Sequence, residues 1–210
     1  MRPLPQGIRI RVRRESVRVL ARQKSLIIAV RLHQAWHSRD VTDRRPRHAV
    51  HIRAFVEGDW PAVASIVHEV LAAGETYAMP ALDDAGARSF WLGQPGEVVV
   101  AEVGGQIVGT AKMGPNRPAQ GSHVGTASFM VSAGARGHGV GRALGEHVVT
   151  WHREQGFRGI QFNAVVESNT AAVALWRALG FDVVGTVPGA FRRANGSYVG
   201  LHVMHLDLTS

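Results

Sequence analysis

Between an apolar run, His123–Val131, and an amphipathic stretch, Gly139–Gln155, the chain passes through Arg136-Gly137-His138-Gly139-Val140-Gly141. Residues 123–131 read as a strand, and Val140, Leu144, Val148 and Trp151 recur on one face at helical spacing. A strand that runs through closely spaced glycines into a helix limits the fold to a strand–turn–helix unit of a layered α/β protein. It also defines a chemistry. Glycines let the backbone approach a ligand closely and turn its N–H groups outward. The helix start adds unpaired N–H groups and the positive end of the helix dipole, which together favour phosphate. Arg136 and Arg142 bring formal charge. Two other phosphate loops do not fit. A nucleoside-triphosphate loop needs Gly-Lys-Ser/Thr, whereas Gly141 is followed by Arg142-Ala143. The dinucleotide fingerprint needs a third glycine where Arg142 stands, and it lacks its acidic residue about 20 positions on.

The rest of residues 49–210 supplies the layers. His51–Phe55 reads as a short strand. Asp59 can cap a helix with Pro61 in its first turn; Val63, Ile66, Val67, Val70 and Leu71 recur at helical spacing, and Gly74 ends the run. A second helix is expected from Asp83 to Trp91. Glu97–Val103 and Gln106–Met113 form a hairpin, because both glycines of the Gly104-Gly105 link can take positive φ. Met113–Ser122, rich in Pro, Gly and Asn, is a loop. Then come a strand, Ile160–Val166, and a helix, Asn169–Leu179, closed by Gly180. A last hairpin, Phe181–Val187 with Tyr198–Leu206, turns around Asn195-Gly196. The order β-α-α-β-β-β-α-β-α-β-β specifies a mixed α/β sheet covered by helices.

Charge separates the two parts of the chain. Residues 1–48 hold 13 Lys+Arg and 3 Asp+Glu; the remainder holds 11 and 13. The net charge of +8 therefore belongs to a basic N-terminal extension, expected to be disordered and dispensable. An upstream start assignment is another reading of it. A nucleic-acid partner reached through this arm is the minor reading, since the body is slightly acidic. The apolar run Leu26–Val30 is far shorter than the roughly 20 residues a bilayer needs, so no membrane partner is expected. The absence of cysteine excludes thiolate metal sites and cysteine nucleophiles, and a cytoplasmic setting is the default. The His residues show no metal-ligand spacing, and no metal is expected.

The pattern R-x-x-G-x-G, here Arg136 to Gly141 after a strand ending Ser128-Phe129-Met130-Val131, resembles motif A of the GNAT (Gcn5-related) N-acetyltransferase superfamily. Asn169-x-x-Ala172-x-x-x-Trp176-x-x-x-Gly180-Phe181 looks like that superfamily's second signature, N-x-x-A-x-x-x-Y-x-x-x-G-F. The resemblance covers residues 50–208, including the element order. It implies a GNAT-like fold: a mixed, mostly antiparallel sheet flanked by helices, over residues 49–210. It also implies acetyl-CoA (acyl-CoA) as co-substrate, bound in a cleft where strand 123–131 splays from strand 159–166. Diphosphate would sit on the backbone of residues 136–142: Arg136, Gly137, His138, Gly139, Val140, Gly141 and Arg142. Pantetheine would pair with the strand end, Phe129, Met130 and Val131, and Asn169 would touch the CoA arm. Asn169 equally suits a helix N-cap.

The implied reaction is attack of a small-molecule primary amine on the thioester, which needs a base, an oxyanion donor and a fate for the thiolate. The backbone N–H of Met130 or Val131 is the oxyanion donor by resemblance. The family's usual Tyr falls on Trp176, whose indole gives up no proton. Another residue or water protonates CoA, or the thiolate leaves bare. Thr126 and Ser128 stand where acidic side chains are frequent in the family, leaving Glu75, Glu167 and His123 as candidate bases. Glu75 leads, because residues 73–77 form the loop expected over the acceptor. Tyr77 in that loop and Arg192 at the last hairpin are candidate acceptor contacts, a guanidinium suiting a carboxylate. This loop looks like those of small members that acylate amino acids or amino-acid-like herbicides. A catalytically silent acyl-CoA-binding module is the rival reading, and a homodimer is left open.

Overall fold

The computed structural model describes residues 49–209; the basic extension expected over residues 1–48 lies outside them. In chain order the strands are β1 (His51–Ala54), β2 (Glu97–Val103), β3 (Gln106–Pro115), β4 (Val124–Val131), β5 (Gly159–Val166), β6 (Asp182–Arg192) and β7 (Tyr198–Asp207). The helices are α1 (Trp60–Ala73), α2 (Asp84–Leu92), α3 (Val140–Glu154) and α4 (Thr170–Ala178). The strands form one sheet in the order β1-β2-β3-β4-β5-β7-β6. Every neighbouring pair is antiparallel except β4 and β5. These two are joined through α3, the crossover that a parallel pair requires. The mixed, mostly antiparallel sheet flanked by helices is the architecture expected from the sequence.

Alternation along the central strands builds two core layers. Val100 and Met130 face α1 and α2, where Val63, Val67, Ala87 and Trp91 bury against them. Val99, Ala101 and Ala111 face the opposite way and pack under Val140, Leu144 and Val148 of α3. A third cluster joins Ile160 and Phe162 of β5 to Trp176 of α4, Phe181 and Met204. The stripe read on α3 is thus the face it buries. No helix among the described residues is long and apolar enough to cross a membrane.

Two local expectations change. Asp59 stands at the start of α1, but its side chain does not cap that helix. Its carboxylate instead accepts from Arg53 Nη1 at 2.6 Å and Nη2 at 2.9 Å, and from the Val56 N–H at 2.9 Å. A guanidinium fork offers a carboxylate two charge-assisted bonds, more than a helix N–H can. The last hairpin is also longer than expected. Strand β6 runs to Arg192, past Pro188-Gly189, because register shifts at Val183/Gly185 and Val187/Phe191 absorb the proline.

Candidate active site

The β4–β5 ladder is short. It pairs Val124 with Gly159 and Gly125 with Ile160, and then the strands part. The exposed length of β4 has a definite polarity. The Val124 carbonyl accepts from Asn116 N–H, and Ser132 N–H donates to the Val108 carbonyl, both across to the β3 side. Alternation therefore aims the backbone groups of Thr126, Ser128 and Met130 at β3, and those of Ala127, Phe129 and Val131 into the split.

A cavity of about 560 Å³ opens from this split toward the start of α3. Its wall holds Phe129, Met130, Val131, Arg136, Gly137, Gly139, Val140, Gly141 and Arg142 from the turn side, and Asn169, Leu175 and Trp176 from α4 and its approach. The turn has the shape an anion site needs. Gly137 and Gly139 take φ of +78° and +83°, a region that L side chains rarely enter. A Cβ at either would meet no protein atom within 4 Å, so the backbone there faces open space. Gly139 caps α3 with no side chain in front of the helix's free N–H groups. His138 belongs to the turn but is not part of the cavity wall.

A second cavity of about 270 Å³ continues through the split to the other side. Thr126, Ala127 and Ser128 of β4, Asn163 to Val166 of β5, and Tyr77 line it. Tyr77, from the loop after α1, bridges one residue of β4: its O–H donates to the Phe129 carbonyl at 3.0 Å, and it accepts from the Phe129 N–H at 3.1 Å. Loss of water pushes this hydroxyl well above the ordinary phenol value, against the opposing pull of the Phe129 hydrogen bond. On the wall of the larger cavity, Glu75 accepts from Arg193 Nη2 at 3.2 Å and Nε at 3.4 Å, linking the α1 loop to the β6–β7 turn.

The sequence-derived residues divide cleanly between those at the cleft and those elsewhere. Of the candidate bases, Glu75 lines the larger cavity. Glu167 is taken up by β7, its Oε2 accepting from the Gly200 N–H at 2.8 Å. His123 is exposed ahead of β4 and lines neither cavity. Of the three positions expected beside pantetheine, Phe129 and Val131 face the split and Met130 faces β3. Asn169 caps α4, accepting from the Ala172 N–H at 3.2 Å, and also lines both cavities. Trp176 is likewise both core and cleft wall. It is 6% exposed, with its ring 4.6 Å from Phe129 and 4.9 Å from Phe162. Arg192 and Arg193 both line a third cavity of about 450 Å³ beside Tyr77 and Met79, and Arg193 also makes the ion pair to Glu75. Sequence reasoning missed the Tyr77–Phe129 bridge and chose between the two arginines without a register to guide it. Among the described residues, no group of three or more His, Asp or Glu is placed to hold a metal ion.

Residues 60–181, more than half of the chain, match the Acetyltransferase (GNAT) family. The chain belongs to that family. This GNAT chain is similar in structure to a GCN5-related N-acetyltransferase from Kribbella flavida, with 52% identity, coverage of 76% of this chain and 98% of that one, and a TM-score of 0.73. It is similar also to a ribosomal-protein-alanine N-acetyltransferase from Brucella melitensis, with 32% identity, coverage of 75% and 99%, and a TM-score of 0.65. In sequence it is 31% identical over 113 residues to an L-methionine sulfoximine/L-methionine sulfone acetyltransferase of Pseudomonas aeruginosa, covering 53% of this chain and 64% of that protein. The GNAT chain spans 13% to 64% of the length of the curated relatives it matches.

Proposed function

We propose that this GNAT protein moves an acetyl group from acetyl-CoA to the primary amine of a small, amino-acid-like molecule by direct attack. One observation carries the reading. The cavity that begins at the phosphate-suited turn meets the second cavity at Phe129, Asn169 and Trp176, so donor and acceptor have separate entrances and a common meeting point. Diphosphate is held by the backbone of residues 136–142 and by the Arg136 and Arg142 guanidiniums. Pantetheine follows β4 and pairs with Val131, whose N–H faces the split and serves the thioester oxygen as oxyanion donor. Glu75, next to Thr76 where the two cavities meet, takes the proton of the acceptor ammonium and relays it to water, freeing the nitrogen lone pair. Arg192 and Arg193 offer forked donors to an acceptor carboxylate.

The acceptor cavity of about 270 Å³ favours an amino-acid-sized acceptor over a folded protein surface. The similarity to the methionine sulfoximine acetyltransferase points the same way. The similarity to the ribosomal-protein-alanine transferase supports a second acceptor class, a protein N-terminus. A thiol-release assay with acetyl-CoA tests both, run against methionine sulfoximine, methionine sulfone, free amino acids and an alanine-initiated peptide. The expected result is fastest release with the amino-acid-like amines. Fastest release with the peptide would replace the acceptor assignment. CoA binding by calorimetry with no release from any amine would make the protein a silent acyl-CoA-binding module.

A further inference from the structure

Thr76, Phe129, Asn169, Ala172 and Trp176 line both cavities, so the thioester and the amine meet beside them. None of these side chains is an acid that could protonate a departing thiolate. A phenol hydrogen nevertheless stands beside that junction: Tyr77 lines the second cavity, and its hydroxyl is bound to both backbone groups of Phe129. The geometry of β4 brings the sulfur to it. Val131 and Phe129 present successive pairs of backbone groups to the split, about 7 Å apart along the strand. Val131 is open to the pantetheine arm, while the pair at Phe129 is already closed by Tyr77. The track on which pantetheine can pair therefore ends at this hydroxyl.

We propose that Tyr77 is the proton donor to the departing CoA thiolate, supplying from the α1 loop the acid that α4 lacks at Trp176. This rests on the acetyl-transfer reading above. The acceptor nitrogen forms its bond to the carbonyl carbon, and the C–O π pair moves to oxygen. As that pair returns, the C–S bond breaks and its electrons go to sulfur. The Tyr77 proton leaves the Phe129 carbonyl and passes to sulfur, giving CoA thiol. The phenolate left behind still accepts the Phe129 N–H, and it recovers a proton from water, to which the acceptor nitrogen has lost its own. Burial keeps the phenol protonated into the alkaline range, so the proton is on the hydroxyl when the thiolate forms.

The sequence allows a test confined to this residue. The chain contains two tyrosines, Tyr77 and Tyr198, and Tyr198 is 66% exposed on β7. In a Tyr198→Phe background, growth on a ring-fluorinated tyrosine places a more acidic, nearly isosteric phenol at position 77 alone. The kcat–pH profile is then measured at saturating acetyl-CoA and amine. The unfluorinated protein is expected to hold its activity up to about pH 10 or beyond, the ordinary phenol range. The fluorinated protein is expected to show a descending alkaline limb at lower pH, tracking the acidity of the phenol. Tyr77→Phe should lower kcat by roughly 100-fold or more, with CoA affinity by calorimetry unchanged. An identical profile after fluorination overturns the proposal, as does a folded Tyr77→Phe protein with undiminished kcat. Thiol release by the unsubstituted protein, measured first, separates the two readings. If it binds CoA and transfers nothing, acetyl transfer itself is wrong and the donor role falls with it; if it transfers and the limb does not move, only the donor role is wrong.

Discussion

Replacing Gly139 by alanine should separate what this turn does for CoA from what it does for the fold. Gly139 sits at φ +83° with no protein atom within 4 Å of an added Cβ. The fold therefore pays only backbone strain, about 1–2 kcal/mol for an L residue in the left-handed region. For a body of this size that is a drop of roughly 2–8 °C in Tm. The ligand loses more than strain alone accounts for, because the methyl stands on the path by which diphosphate reaches the α3 N–H groups. Loss of one hydrogen bond to a charged partner is worth about 1.5–3 kcal/mol, so CoA affinity should fall roughly 10- to 100-fold. Gly156 is the matched control. It too has positive φ, +76°, and open space at its Cβ, but it follows the far end of α3. Gly156→Ala should show a similar Tm decrease and bind CoA normally. Melting curves and CoA calorimetry on both variants decide the matter. A folded Gly139→Ala protein with unchanged affinity would refute the phosphate assignment, and an equal affinity loss in Gly156→Ala would show strain rather than contact at work.

Arg193→Ala should raise the acceptor KM about 10- to 100-fold by removing charge-assisted hydrogen bonds, and leave CoA affinity unchanged, as steady-state kinetics and calorimetry would show. Trp176→Ala should cost about 3–5 kcal/mol in denaturant unfolding, as expected for a buried indole, whereas Trp176→Tyr, which keeps an aromatic ring against Phe129 and Phe162, should cost less. A chain beginning at Ala49 should melt cooperatively near the full-length temperature and keep its CoA affinity; insolubility would move the domain boundary. Finally, the Arg53 hydrogen bonds hold the Asp59 carboxylate below its usual range against the opposing effect of burial, with the Val56 N–H adding to them. The folded state thus favours the ionised form, so this stabilisation is complete above the unfolded Asp value of about 3.9 and lost as pH falls through the lower folded value. Melts taken from pH 7 into acid should show that loss in the parent protein and a flatter dependence in Arg53→Met, which should already be less stable at neutral pH.

The parts of this molecule legible in its sequence are those set by neighbours along the chain. The turn at residues 136–141, the stripe on α3, the Gly104-Gly105 link and the Asn169 cap each depend on residues within a few positions of one another. Their conformations follow from glycine's access to positive φ, the 3.6-residue helical period and the orphan groups at a helix start. Even the element order, and with it the family, could be read that way. The end of β6 could not be read, because Pro188-Gly189 is a stop signal unless tertiary register shifts absorb it. Nor could the true partner of Asp59 be found, since an acidic residue before a helix satisfies the capping rule whether or not an arginine claims it. The lining around Tyr77 and Glu75 is a matter of distance. Tyr77 meets Phe129 across 52 positions, and Glu75 meets Arg193 across 118. Which of Arg192 and Arg193 pairs with Glu75 depends on one residue of register, and a one-residue slip sends a strand's side chains to the other face. Sequence alone determined the glycine turn and the family, because local backbone chemistry writes both. The occupants of the split between β4 and β5 were decided only when the sheet closed, because contacts between distant segments exist only after their register is set.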